Sequence, residues 1–201
     1  GWLFRTHLQV HLLKIQQGTE LPSRSSWIHW HEHVPMHELR RLTADDLPQL
    51  VAVYSDAVIS QASAHYTPEQ IQAWAEHGGR DPGLRQALEQ GYGMASCAAH
   101  DARIVEAFAL LHPDDRLALL YCRGRSCRQG RSTALLQALE ASARDRGCRQ
   151  LRTEASQLSR PLLLRLGWQV EAEEEVIGRH RPDRHGRGVA ARAQLAQHAA
   201  E

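Results

Sequence analysis

One lysine stands in the whole sequence. Apart from Lys14, every fixed positive charge among the 201 residues is an arginine. Neither sign of charge dominates: 24 Lys+Arg against 23 Asp+Glu leave a net +1, so bulk charge proposes no nucleic-acid partner. Long apolar runs are missing, which argues against a membrane span. The opening Gly-Trp-Leu-Phe-Arg also has neither the charged start nor the clean apolar stretch of a secretory signal. The four cysteines (Cys97, Cys122, Cys127, Cys148) have no CxxC or zinc-finger spacing, so no metal is expected, and they read as reduced thiols of a cytoplasmic protein. Aromatic residues make up only 5%, while 42% hydrophobic residues and a mean hydropathy of −0.48 fit a soluble globular chain with one ordinary core.

What is present is unevenly spread. Six of thirteen histidines and three of five tryptophans fall within the first 37 residues, and Met36 is the first methionine. Residues 1–36 are therefore expected to be a leader or extension, 37–177 the domain, and 178–201 a basic tail. Within the leader, His29, His31 and His33 alternate as an extended strand would need to bind a metal on one face, but a physiological site there is not expected. The Arg-rich tail lacks interleaved aromatics, so it makes a weak nucleic-acid binder.

Between these ends the punctuation is regular. Leu47, Leu50, Val51, Val53, Tyr54 and Val58 recur at helical spacing. Thr67-Pro-Glu-Gln70 is a capping-box start with proline at the first helical position, and Gly78-Gly79 ends that helix. Pro82–Gln90 reads as another short helix. The period then changes to strands at Tyr92–Ala99, Ile104–Leu111 and Leu117–Cys122. A helix over Thr133–Arg146, a strand over Gln150–Ala155, a short helix over Leu158–Leu166 and a strand over Trp168–Val176 follow. The order predicts a mixed α/β (α+β) domain with a mostly antiparallel sheet.

The window Leu119–Leu136 carries the chemistry. A strand ends, a loop rich in Arg, Gly and Ser follows, and a helix begins. Exposed amides and the positive dipole end of that helix make an anion cradle, reinforced by Arg123, Arg125, Arg128 and Arg131. A pyrophosphate suits charge focused on one turn better than a nucleic-acid backbone does.

Three segments in the right order resemble the GNAT superfamily of acyl-CoA-dependent N-acetyltransferases. They are the loop Cys127-Arg-Gln-Gly-Arg-Ser132, the run Thr153-Glu-Ala-Ser-Gln-Leu-Ser-Arg-Pro161 leading to Gly167-Trp168, and Tyr66-Thr-Pro-Glu-Gln-Ile-Gln-Ala-Trp74. The last two are similar to a small bacterial branch. The loop keeps Gly130 of the family pattern, while Cys127, Arg131 and Ser132 depart from it. The tyrosine many members use as general acid aligns near Leu163.

The resemblance implies a sheet with a splayed central strand pair, helices on both faces, and acetyl-CoA as cosubstrate. It implies cofactor contacts from Leu120, Tyr121, Cys122, Arg128, Gln129, Gly130, Arg131, Ser132, Thr133, Ser156 and Arg160, with Tyr66 and Trp74 at the acceptor. Glu154, Ser156 and Glu106 are the catalytic candidates, with His112, Asp114 and Asp115 as further candidate bases. Cys122 reads as a buried strand cysteine, because no His or Asn partner is placed beside it. A family's final strand would follow Val176, where the tail does not look like one. The expected activity is acetyl transfer to a small-molecule or peptide amine by direct attack in a ternary complex, with the oligomeric state left open between a homodimer and other forms. The alternatives are a GNAT fold that binds a CoA-like ligand without turnover, and nucleic-acid binding through the loop and tail.

Overall fold

The computed structural model describes residues 8–17 and 38–178, with side chains described over 38–170. The His29–His33 triplet and the tail beyond 178 lie outside the described residues.

Among the described residues seven strands and five α-helices follow one another: β1 (Leu8–Gln17), β2 (Leu39–Arg41), α1 (Leu47–Gln61), α2 (Pro68–His77), α3 (Pro82–Gln90), β3 (Tyr92–Ala98), β4 (Asp101–Leu111), β5 (Leu117–Cys122), α4 (Arg131–Asp145), β6 (Arg152–Ala155), α5 (Arg160–Arg165) and β7 (Trp168–Gly178). Local chemistry starts these elements where the sequence says it should. At α2 the Gln70 amide donates to Thr67 Oγ1 (3.3 Å) and the Thr67 amide to Gln70 Oε1 (2.9 Å), a closed capping box with Pro68 behind it. Asp81 caps α3 through the Gly83 amide (2.8 Å).

β2, β3, β4 and β5 form a four-stranded antiparallel sheet in chain order. Alternation along β4 divides the core. Ala107, Ala109 and Leu111 meet Leu135, Leu136 and Leu139 of α4, while Phe108 and Leu110 meet Leu50 and Val53 of α1 and Leu84 of α3. Helices thus cover both faces, as expected. The small residues of β4 on the α4 side let that helix lie close.

Pairing along β4 slips twice against β3, between Ser96 and Cys97 and again between Cys97 and Ala98, and once against β5. Ser96 faces Ala107 and Cys97 faces Val105, so Glu106 is the extra residue of a bulge. Outside the sheet edge, Arg40 donates to both carboxylate oxygens of Asp46 (2.8 and 2.7 Å), and the Thr43 amide donates to the same carboxylate (2.8 Å). This clamp fixes the turn between β2 and α1.

The remaining strands form a three-stranded antiparallel sheet in the order β6-β1-β7. Here the structure departs from the expected boundary at residue 37: Leu8–Gln17, assigned to the leader, lies between β6 and β7 and pairs with both. Lys14, for example, faces Glu154 on one side and Ala172 on the other. The expected final strand beyond β7 falls outside the described residues. Two neighbouring strands with exposed edges would each need a partner, and one extended segment serves both. Among the described residues no helix is long and apolar enough to cross a membrane.

Candidate functional site

The two sheets touch at a single parallel bridge, Arg116 to Arg152. The contact is fastened by the Arg152 amide on the Asp115 carbonyl (2.9 Å) and by Thr153 Oγ1 on the Leu117 carbonyl (2.7 Å). Arg116 adds two bonds to Glu154 Oε2 (2.8 and 2.6 Å). Beyond this point β5 and β6 no longer pair, and a cleft of about 1150 Å³ opens between them. Both strands line it, together with the start of α4 and parts of α1 and α5.

Backbone polarity along β5 follows from its pairing. The Arg123 amide donates to the Glu106 carbonyl (2.9 Å). In an antiparallel ladder successive residues alternate, so Tyr121 also turns its backbone groups to β4, while Leu120 and Cys122 turn theirs to the cleft. The Cys122 carbonyl accepts from Gln61 Nε2 (2.8 Å), so the end of α1 holds the end of the strand. Leu120 thereby offers an edge for a polar, amide-bearing ligand.

The loop from Arg123 to Gly130 has two halves. The first is tied down: the Gly124 amide donates to Asp56 Oδ2 (2.7 Å), and a Cβ on Gly124 would stand 2.6 Å from Ser60 Cβ, so loop and α1 meet in close contact. Arg123 Nε donates to the Val105 carbonyl (3.1 Å). Arg125 Nε and Nη2 both reach the Glu106 carboxylate (3.1 and 2.5 Å), and Ser126 Oγ donates to it at 2.6 Å. The second half is shaped by two left-handed residues, Arg128 (φ 60°) and Gly130 (φ 82°). Gly130 is the N-cap of α4 and brings no side-chain cap, so the first amides of the helix, with the positive dipole end, face the cleft side. That is a site for an anion.

These facts sort the expected residues. Leu120, Tyr121, Cys122, Arg128, Gly130, Arg131, Ser132, Thr133, Glu154, Ser156 and Trp74 line the cleft. Gln129 and Arg160 are not in its lining, and Gln129 turns its amide to the Arg125 carbonyl (3.1 Å). Glu106 lies outside it too. The bulge aims its carboxylate beneath the loop; burial raises its pKa, but bonds from Arg125 and Ser126 outweigh burial and hold it below the ordinary carboxylate range. An anion so held anchors the loop from outside the cleft lining.

The arginine cluster is correspondingly less of a field than the sequence suggests, since Arg123 and Arg125 are engaged below the loop. Arg131 is buried, 8% exposed, with Nη1 on Ser96 Oγ (2.9 Å) and on the Cys97 carbonyl (2.7 Å). A long side chain at a position that packs inward is thus accommodated by polar groups at the β3 bulge. Of the other bases weighed, Asp114 pairs with Arg146 and Asp115 with Arg152, both away from the cleft lining.

At the far end, the Tyr121 ring lies 4.3 Å from Tyr54 and 5.7 Å from Phe108. Burial pushes the Tyr54 hydroxyl up to about 12 and the Tyr121 hydroxyl well above its usual value, so both stay protonated. Trp74 meets Tyr66 edge to face at 5.2 Å. Tyr66 itself is core: its hydroxyl points toward the Gln157 backbone without closing a hydrogen bond. Ser156 sits in the turn before α5, its Oγ within 3.4 Å of the Ser159 amide. Leu163 is buried against α4. Gln61, His65 and Arg165 also line the cleft, and a lone polar residue of this kind carries no signal in sequence until tertiary packing gives it a neighbour. Among the described residues no cluster suits a metal ion.

Residues 62–180 match the family model for an acetyltransferase (GNAT) domain. No curated protein matches by sequence. Among solved structures, a GCN5-related N-acetyltransferase from Rhodopseudomonas palustris is similar over 71% of this chain and 96% of its own, with a TM-score of 0.62 and 20% identity. The PaiA N-acetyltransferase from Thermoplasma acidophilum, solved with coenzyme A, aligns over 71% of this chain and all of its own at a TM-score of 0.53 and 15% identity. A GCN5-related N-acetyltransferase from Ralstonia eutropha aligns over 66% and 92% at 0.50 and 23%.

Proposed function

This chain belongs to the GNAT acetyltransferase family, and on that premise we propose that it moves an acetyl group from acetyl-CoA to a small-molecule or peptide amine by direct attack in a ternary complex. The observation that carries the reading is the wedge between β5 and β6, pinned at Arg116–Arg152 and open toward the uncapped start of α4. Its donor set fits the proposed cosubstrate. The amides of Arg131, Ser132 and Thr133, the dipole behind them and Arg128 suit a diphosphate, while the free edge at Leu120 suits the amides of a pantetheine arm. The PaiA structure with coenzyme A supports the same choice of ligand.

Direct transfer needs a neutral amine, a proton acceptor and a proton donor for the leaving thiolate. Glu154 is the acceptor in this reading. Arg116 donates twice to its Oε2, leaving Oε1 open. Tyr121, the phenol in the lining, stays protonated through burial and supplies the donor in place of the tyrosine absent at Leu163. Ser156 positions the ligand from the turn before α5, and Trp74 bounds the acceptor end. The four free thiols are in keeping with a cytoplasmic setting.

Isothermal titration with acetyl-CoA, followed by thiol release against a panel of amines, tests this. Saturable binding with release is expected, and binding without release would leave a ligand-binding protein. Glu154→Gln should lower kcat by 10²-fold or more with little change in acetyl-CoA affinity. Gly130→Val should abolish binding, since a β-branched residue is strained at φ 82° and its side chain crowds the anion.

A further inference from the structure

Two sulfurs converge beside the anion loop. Cys122 ends β5 and Cys127 follows the short turn after it, and both line the cleft. Cys122 Sγ donates to the Arg123 carbonyl at 3.6 Å and Cys127 Sγ to the same oxygen at 3.2 Å; Cys127 Sγ also lies 3.7 Å from the Cys122 carbonyl. Two thiols on one acceptor atom, five residues apart on a turned backbone, can meet with little movement. The other two cysteines are elsewhere: Cys97 is 1% exposed under the first sheet, and Cys148 lies past the far end of α4, whose 15 residues span about 22 Å.

We propose that Cys122 and Cys127 form a reactive dithiol, a modification site for low-molecular-weight disulfides that closes as an intramolecular disulfide at the mouth of the anion loop. The two thiols are unequal. Contact with Cys122 holds the Cys127 thiol below its ordinary range, while contact with Cys127 and then burial push Cys122 up. Cys127, the less buried of the two, is the attacking group and Cys122 the resolving one.

In the first step the Cys127 thiolate attacks one sulfur of R–S–S–R. The reagent's S–S bond breaks, and RS⁻ leaves and takes up the proton Cys127 lost. Cys122 then gives up its proton and attacks the Cys127 sulfur, breaking the mixed disulfide and expelling the second RS⁻, which is protonated in turn. Two protein thiols are oxidised by two electrons, and one disulfide is reduced to two RSH. None of this depends on acetyl transfer, so the site stands or falls separately from the proposed activity.

The test uses the full chain with Cys148→Ser, treated under native conditions with dipyridyl disulfide and, in parallel, oxidised glutathione. Two equivalents of pyridinethione should be released per chain, with a loss of 2 Da. Because Arg123 and Arg125 stand between the cysteines, trypsin should yield two short peptides joined by a Cys122–Cys127 bridge. With Cys122→Ser added, the reaction should stop at a mixed disulfide on Cys127. With Cys127→Ser instead, modification of Cys122 should slow by tenfold or more. A stable mixed disulfide on Cys127 with Cys122 present, a bridge involving Cys97, or full retention of both thiols would overturn the assignment. The stoichiometry on the protein with both cysteines needs no further variant, so a folding defect in either serine form leaves the answer intact.

Discussion

The two sheets are built in opposite ways. β2 to β5 are neighbours in the order the chain makes them, joined by hairpins and short connections, with helices on both faces. The β6-β1-β7 sheet draws its middle strand from the first residues and its edges from the last described ones. A sheet made of sequential hairpins closes short loops, whereas one whose central strand comes from some 135 residues away pays the larger ordering entropy of a long loop. The wedge lies where the two kinds of sheet meet. One wall is therefore set by local chain geometry and the other by a remote segment.

The strongest way to break this contrast is to remove that segment. A chain lacking residues 1–17 leaves β6 and β7 with no strand between them, since each pairs with β1 and not with the other. The loss should be comparable to the whole stability of a domain, roughly 5–15 kcal/mol. Loss of the cooperative urea transition, or self-association on gel filtration, is the expected result. A shortened chain that melts like the full one would show the second sheet to be independent of β1.

Two core substitutions sharpen the contrast. Phe108, fully buried, packs between the first sheet and α1; Trp168, 2% exposed at the start of β7, packs against α4 and donates from Nε1 to Glu140 (3.1 Å). Phe108→Ala and Trp168→Ala should each cost about 3–5 kcal/mol in urea unfolding. A much smaller cost at Trp168 would separate the second sheet from the shared core.

The smallest effect lies at the outer edge of the first sheet. The hydrogen bond from Arg40 is the main cause that holds the Asp46 carboxyl below its ordinary range. Its native pKa is therefore lower than its unfolded value near about 4. The stability it gives is whole above that unfolded value and drains away as pH falls through the native one. Asp46→Asn should cost about 1–2 kcal/mol near neutral pH and flatten the acid limb of a stability–pH curve. A parallel curve for the variant would remove the clamp from the account.

The contrast also explains what could be read in advance. Thr67-Pro68, the hairpin strands, Gly130 and the cleft-facing strand before it follow from neighbours in sequence, and the structure has them within a few residues of expectation. β1 could not be read this way. Strand pairing between Lys14 and Glu154 leaves no local mark, and Gln9, His11 and Lys14 interrupt the apolar residues of Leu8–Ile15. Glu106 misled for a related reason: its role depends on a one-residue bulge against β3 and on a loop 19 residues ahead. Arg131 looked out of place because the polar groups that receive it, Ser96 and the Cys97 carbonyl, stand on another strand.

The fastening of β5 to β6 at one end makes the wedge a lever with its fulcrum at Arg152 and Asp115. From Leu117 to Cys122 the arm runs about 17 Å, so one degree of tilt at the fulcrum moves the mouth by about 0.3 Å. A side chain that never touches the ligand can thus widen the slot by the breadth of a methylene through a few degrees of rotation. Under the proposed activity, the acyl chain that the slot would admit is tuned as much at the fastened end as among the residues that line the opening.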